Sequence, residues 1–277
     1  MMRLAYPTEN VDLFARAGIP VSALPGNAEK RLYSLPQPHT RFIMANLSTF
    51  PITTRWPAAN PDILQLYAAP TPNGVKVSIM LEETGLAYEP HFVNIGDNES
   101  HIEAFLSLNP NGKIPAILDP NGPGGQPLGL FESGAILIYL ADKTGQFLPK
   151  DAAGRYETIQ WVMFQMGGIG PMFGQLGFFH KFAGKEIADK RPLERYRTET
   201  MRLLDVLEQR LSGRQFMMGD EVTIADFAIV GWVRSLVGFY EAADLVGYDK
   251  LSALSAWFDR MMARPAVQRG VEIPARP

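Results

Sequence analysis

Thr71-Pro72-Asn73 brings together a hydroxyl, a carboxamide and the free N–H groups of a helix start. Such donors suit an anion, a thiolate included, because first-turn amides lack intrahelical partners and the helix dipole favours negative charge. Lowering a thiol pKa there by about two units corresponds to about 2.7 kcal/mol of preferential anion binding. The stretch also reads as an Asn-Gly turn with proline near the first helical position. Glu132-Ser133 stands where a second helix follows directly on a strand. The Ser133 amide and hydroxyl offer a carboxylate site and Glu132 a negative charge for an ammonium, so the pair suits an α-amino-acid head group; alone, it also serves as plain capping. Between the two lies Asn109-Pro110-Asn111-Gly112-Lys113-Ile114-Pro115-Ala116-Ile117-Leu118. Its Pro115, at a strand entry, is either an ordinary turn proline or the site of a cis X–Pro bond. A cis bond turns the Ile114 amide and carbonyl out of the sheet, where an extended peptide pairs with them by strand addition.

The sequence contains no cysteine. Structural disulfides, Cys-ligated zinc, a protein-borne CxxC pair and a Cys nucleophile are therefore excluded, and a reducing compartment fits. His39, His91, His101 and His180 show no metal-ligand spacing, and neither HExxH, GxSxG nor GxxxxGK[ST] occurs. The expectation is no metal, and neither serine-hydrolase nor P-loop chemistry. Gly168-Ile169-Gly170-Pro171-Met172-Phe173-Gly174 has the glycines of a dinucleotide loop, but Pro171 and the want of a preceding strand make it a helix break. Lys plus Arg is 26 against Asp plus Glu 29, a formal net charge of -3. That balance argues against nucleic acid as the main partner, and no basic cluster points to a membrane surface. Residues 1–10 lack the apolar core of a signal peptide, and no apolar run approaches the roughly 18 residues of a membrane span. A soluble cytoplasmic protein is expected.

The elements that must position these groups follow from the hydrophobic pattern. With 277 residues, 46% hydrophobic and 20% charged, the chain is globular, and roughly 150 residues per domain makes two domains the starting expectation. Residues 1–60 are proline-rich (Pro7, Pro20, Pro25, Pro36, Pro38, Pro51, Pro57) yet carry Phe14, Phe42, Phe50 and Trp56. They read as an irregular extension packed on its own body or on a neighbouring subunit. Residues 63–68 form a strand, followed by a helix through Val75, Ile79, Met80 and Leu81 that stops at Gly85. Residues 88–94 form an edge strand, because Pro90 cannot donate to a ladder. A short helix over 103–108, strands over 114–118 and 128–131, and a helix from Glu132-Ser133 through Leu140 complete an α/β domain over 61–148. From 149 to 277 only helical periods remain, over 155–166, 192–211, 224–237 and 251–262. Thr223-Ile224-Ala225-Asp226 opens the third of them as a capping box.

Taken together and in this order, Asn109 to Ala116, Glu132-Ser133-Gly134-Ala135-Ile136 and Thr223-Ile224-Ala225-Asp226 resemble the cytosolic glutathione transferases, from about Asp62 to the C-terminus. The resemblance implies a thioredoxin-like N-terminal domain joined to an all-α C-terminal domain. Within the family, Thr71-Pro72-Asn73 and the long extension are similar to the nu class, relatives of the yeast nitrogen-regulatory prion protein. It implies glutathione as co-substrate with no other cofactor, Ile114 pairing the cysteinyl backbone, Glu132 and Ser133 holding the γ-glutamyl end, and Asn73 and Thr71 facing the sulfur. Nu-type chains tend to place Gln or His ten residues before the position of Pro110, against the glycyl end. This chain has Ser100 there, followed by His101, with Lys113 a further partner for the glycyl carboxylate. A homodimer, up to two glutathiones per site and glutathione-dependent disulfide reduction are implied as well.

Conjugation of glutathione to small electrophiles, and a non-catalytic glutathione-binding regulatory module, are the competing readings. The opposite wall is expected from Trp161, Phe164, Gln165, Met166, Met172, Phe173, Gln175, Phe178 and Phe179, a stretch that equally suits core. Arg195 and Arg202 either reach a second glutathione or lie on a solvated face.

Overall fold

The computed structural model describes residues 47–276. Expectations for residues 1–46 lie outside this range. Four strands form one mixed sheet in the order β2-β1-β3-β4. They are β1 (Leu64–Ala68), β2 (Tyr88–Phe92), β3 (Ala116–Asp119) and β4 (Leu128–Phe131). Every residue of β1 is buried, as a central strand covered on both faces requires; its one polar residue, Gln65, donates to the Asn60 and Ile63 carbonyls. It pairs with β2 in parallel on one side and with β3 antiparallel on the other. Pro90 sits in β2 on the outer edge, where a missing N–H leaves no ladder bond unmade.

The pleat divides the core. Leu64, Leu66, Ala68 and Ile117 face one cluster, built with the helices. Tyr67, Ala116 and Leu118 face another. That second cluster is closed by residues from the expected extension: a 3₁₀ turn at Leu47–Thr49 and α1 (Ile52–Arg55) bring Leu47, Ile52 and Trp56 beneath the sheet. Trp56 packs edge-on to Tyr67 and Phe105, and its Nε1 donates to the Phe92 carbonyl at 3.0 Å. This end of the extension thus packs on its own body.

On the first face lie α2 (Gly74–Thr84), ended by Gly85 in the left-handed conformation, and α4 (Ser133–Thr144). The short α3 (Glu103–Leu106) buries Phe105 on the other. Beyond Pro149 follow α5 (Ala152–Phe164), α6 (Gly170–His180), α7 (Arg191–Leu211), α8 (Ile224–Arg234), α9 (Ala243–Val246), α10 (Ser252–Met262) and α11 (Pro265–Gly270). In α7, Leu203, Leu204, Leu207 and Leu211 make the buried stripe. Thr223 caps α8, and the Asp226 carboxylate accepts the Thr223 N–H at 2.9 Å in return.

Several expected boundaries need correction: β2 ends at Phe92, α3 at Leu106, and α8 at Arg234, where a π-helical turn, Ser235–Phe239, follows. The third strand starts at Ala116 instead of Ile114: its pairings with β1 and β4 begin at Ala116, and Ile114–Pro115 lies ahead of them. The helix break expected at Gly168–Gly174 is a five-residue π-helical turn, Gln165–Ile169, in which the Gly170 N–H reaches the Gln165 carbonyl. Pro171 then falls at the start of α6, where a missing N–H is tolerated. Residues 170–180, read only as an aromatic stretch, are therefore helical, as are the shorter α9 and α11.

Candidate active site

The sheet register explains why the three motifs converge. Tyr67 pairs with Ala116, and Ala116 with Phe131, so the end of β1, the start of β3 and the end of β4 lie at the same end of the sheet. From that end the chain delivers Asn73 at the N-cap of α2, the cis Ile114–Pro115 bond, and Glu132-Ser133 at the N-terminus of α4. A cleft of about 320 Å³ opens there, lined on the sheet side by Asn73, Lys113, Ile114, Pro115, Glu132 and Ser133.

Each position has a local cause. Asn109 is buried and folds the loop before β3: its Nδ2 donates to the Lys113 carbonyl and its Oδ1 accepts the Asn111 N–H at 2.9 Å. Gly112 has φ +64, and a Cβ there would stand 2.9 Å from the His101 ring; only glycine suits both the conformation and the space. Glu132 also has positive φ, 69, which is strained for a residue with a Cβ. Its backbone turns from β4 into α4 at that point, and its carbonyl accepts the Ile136 N–H at 2.9 Å. Ser133 follows, buried, with its amide at the positive end of a 12-residue helix.

The helical domain supplies the other wall: Gln165, Met166, Gly170, Pro171 and Trp232. Trp232 reaches the cleft because Gly231 lets α8 approach α2 closely; a Cβ at Gly231 would lie 2.6 Å from the Pro72 carbonyl oxygen. The Trp232 Nε1 donates to Asn73 Oδ1 at 3.0 Å. That bond fixes the carboxamide with its oxygen engaged and its N–H₂ left as the donor.

Not all the sequence candidates meet here. The Thr71 hydroxyl accepts the Gly74 N–H at 3.3 Å, and Thr71 lines a different cleft of about 870 Å³, with Trp56, Pro90 and His91. Ser100 is buried with its hydroxyl 3.1 Å from His101 Nδ1, and neither residue lines the first cleft. Of the expected opposite wall only Gln165 and Met166 line it; Phe173 is fully buried core, and Phe178 is exposed. Arg202 pairs with Glu199 on the surface of α7, and Arg195 is exposed.

Known proteins resemble this chain in both domains. Residues 63–142 match the glutathione S-transferase N-terminal domain and residues 171–265 the C-terminal domain. The chain belongs to the glutathione S-transferase family. It is 42% identical over 216 residues to the disulfide-bond oxidoreductase YghU of Escherichia coli K12, covering 75% of this chain and 73% of that one. A glutathione transferase of Burkholderia graminis, solved with two glutathione molecules per subunit, is 66% identical with a TM-score of 0.83, over 84% of this chain and 98% of that one. A Pseudomonas putida glutathione transferase, solved with one glutathione disulfide per subunit, is 62% identical with a TM-score of 0.81, over 82% and 99%.

For a member of this family, the residues that sequence reading missed are instructive. Asn109 and Asn111 line the cleft from within a quoted motif, but no role was assigned to them. Trp232 falls within the helical period 224–237, which carries no signal of its bond to Asn73. Lys76 lies under the cleft, wholly buried, its Nζ donating to Ser133 Oγ at 3.1 Å and to Gln165 Oε1. A lone lysine inside the apolar run Val75 to Leu81 was the available signal. Among the described residues no group of three or more His, Asp or Glu could hold a metal, and no helix is long and apolar enough to cross a membrane.

Proposed function

We propose that this chain binds glutathione in the cleft and uses its thiol to reduce disulfides. The observation that carries this reading is the convergence of Asn73, Ile114 and Glu132-Ser133 on one cleft in a chain that has no cysteine of its own. The name of YghU and the glutathione and glutathione disulfide in the Burkholderia and Pseudomonas structures support it.

In this reading the γ-glutamyl carboxylate meets the Ser133 amide and hydroxyl, and its ammonium meets Glu132. The cysteinyl backbone pairs with Ile114, and Lys113 on the rim faces the glycyl carboxylate. The sulfur lies beside Asn73, whose N–H₂ stabilises the thiolate, while Thr71 holds the turn through its bond to Gly74. Ser100 and His101 act behind Gly112, keeping the loop in place. The thiolate attacks one sulfur of a disulfide; the S–S bond breaks, and the leaving thiolate takes a proton. A second glutathione thiolate attacks the glutathione sulfur of the mixed disulfide, releasing oxidised glutathione and the second thiol. Rate follows the thiolate fraction and access. Glutathione is the co-substrate, with no other cofactor, and the protein works in the cytoplasm as a homodimer.

The test is reduction of hydroxyethyl disulfide with glutathione as donor. Asn73→Ala removes a hydrogen bond to a charged group, about 1.5–3 kcal/mol, and lowers kcat/KM roughly ten- to 150-fold. An unchanged rate and glutathione affinity would refute the role of Asn73. Turnover of a chloronitroaromatic but of no disulfide would instead favour conjugation, and tight binding without turnover of either a regulatory module.

A further inference from the structure

Lys76 is a buried amine for which the thiol chemistry has no use. It projects from α2 within the apolar run Val75 to Leu81 and is fully buried. Burying an ammonium is costly unless it is paired. Its partners are neutral: Ser133 Oγ at 3.1 Å, Gln165 Oε1, and Met166 Sδ at 3.4 Å. Among the described residues no carboxylate stands within ion-pair distance. All three partners line the cleft. An anion in the cleft beside Ser133 would supply the charge that these neutral partners do not.

We propose that Lys76 is a positioning residue for the ligand's α-carboxylate: from beneath the N-terminus of α4 it holds the Ser133 hydroxyl as a donor into the cleft and provides the counter-charge. This rests on the glutathione reading above. Because Ser133 Oγ accepts from Lys76, its own proton is left to donate. That proton points at Met166 Sδ, 3.6 Å away, a weak acceptor that a carboxylate displaces.

The arrangement has a consequence in pH. Burial pushes the Lys76 amine down to about 7, against the opposing field of Glu132. A bound carboxylate favours the charged amine and raises that value, so binding takes up a proton above about pH 7, and affinity falls as pH rises, by at most tenfold per unit. Other charges on the elements around α2 are engaged elsewhere. Asp226 on α8 is held by Met217, Thr223 and Trp257, and Arg234 pairs with Glu272. At α11, Arg264 and Arg269 pair with Glu83 and Glu82 at the far end of α2. On α4, Lys143 pairs with Asp119 and Asp142 with Arg155; the π turn contributes only Gln165 and Met166, and Lys113 stands on the rim.

The test is calorimetry of S-methylglutathione, which has no ionisable thiol, binding to the full chain between pH 7 and 8 in phosphate and in Tris. The two buffers differ in ionisation enthalpy, so the difference in heat counts protons. The wild type should take up a substantial fraction of one proton per site, and its Kd should weaken several-fold across that unit. Lys76→Met should bind at least about tenfold more weakly at pH 7, with the extra proton uptake and the pH slope gone. The ligand's amine titrates equally in both and cancels in the comparison. Folded Lys76→Met with wild-type uptake and slope would overturn the proposal. Should the variant fail to fold, the wild type decides alone: no proton uptake and a flat Kd overturn it, whereas uptake with the stated slope supports it. No binding of S-methylglutathione by the wild type would overturn the glutathione reading itself and this assignment with it.

Discussion

Replacing Trp232 by phenylalanine tests whether the two domains cooperate in the chemistry. The Trp232 Nε1 donates to Asn73 Oδ1 at 3.0 Å, across the contact between α8 and α2 that Gly231 makes possible. Phenylalanine keeps an aromatic ring in that contact and removes the N–H. Asn73 is half-buried, so water replaces the lost partner and global stability changes little. The carboxamide, no longer fixed, turns its oxygen toward the thiolate for part of the time. A net hydrogen bond is worth about 0.5–1.5 kcal/mol, which converts to a fall in glutathione kcat/KM of roughly two- to twelve-fold. The assay is hydroxyethyl disulfide reduction at varied glutathione, with ultraviolet thiolate absorbance reporting the pKa of the bound thiol, which should rise. Parental kcat/KM and thiol pKa in Trp232→Phe, alongside a large loss in Asn73→Ala, would refute the reasoning: Asn73 would then need no orienting partner.

Two further predictions concern stability. Asp226 accepts from the Met217 and Thr223 amides, at 2.8 and 2.9 Å, and from Trp257 Nε1 at 2.8 Å; Asp226→Ala strands these buried donors and should cost on the order of 3–5 kcal/mol, read as a lowered urea midpoint, and a midpoint within error of the parent would count against it. Trp56→Ala removes the side chain that closes the second cluster with Tyr67 and Phe105; a loss of about 3–5 kcal/mol in urea unfolding is expected, and no loss would mean that residues 47–60 are dispensable to the sheet.

Much of the framework was legible because local rules were strong where it matters. Pro90 placed β2 on an edge, Gly85 ended α2, and Thr223 with Asp226 opened α8. What misled was Pro171. Read locally, a proline after Gly168 and Gly170 stops a helix. In the folded chain the π turn lets the Gly170 N–H reach back to Gln165 and puts Pro171 where no donor is needed. Burial in α6 likewise could not be assigned: Phe173 and Phe178 share a helix five residues apart, yet one is core and the other exposed. Ser100 was set against the glycyl end by its spacing from Pro110, but a count of residues says nothing of direction. Its hydroxyl turns to His101 beneath the Gly112 loop.

By itself, then, the sequence determined the local chemistry: a helix start with Asn73 as donor, a strand entry at Ile114–Pro115, a helix start with Glu132 and Ser133, and no sulfur nucleophile. These follow from backbone preferences that act over a few residues. Which distant groups complete the cleft was decided only by tertiary structure. Hydrophobic periodicity reports that a side chain is buried but not what it meets there. Trp232 against Asn73, and Lys76 between Ser133 and Gln165, arise where α8, α4 and the π turn close on α2, over separations of 159, 57 and 89 residues. No local rule spans such distances; packing does.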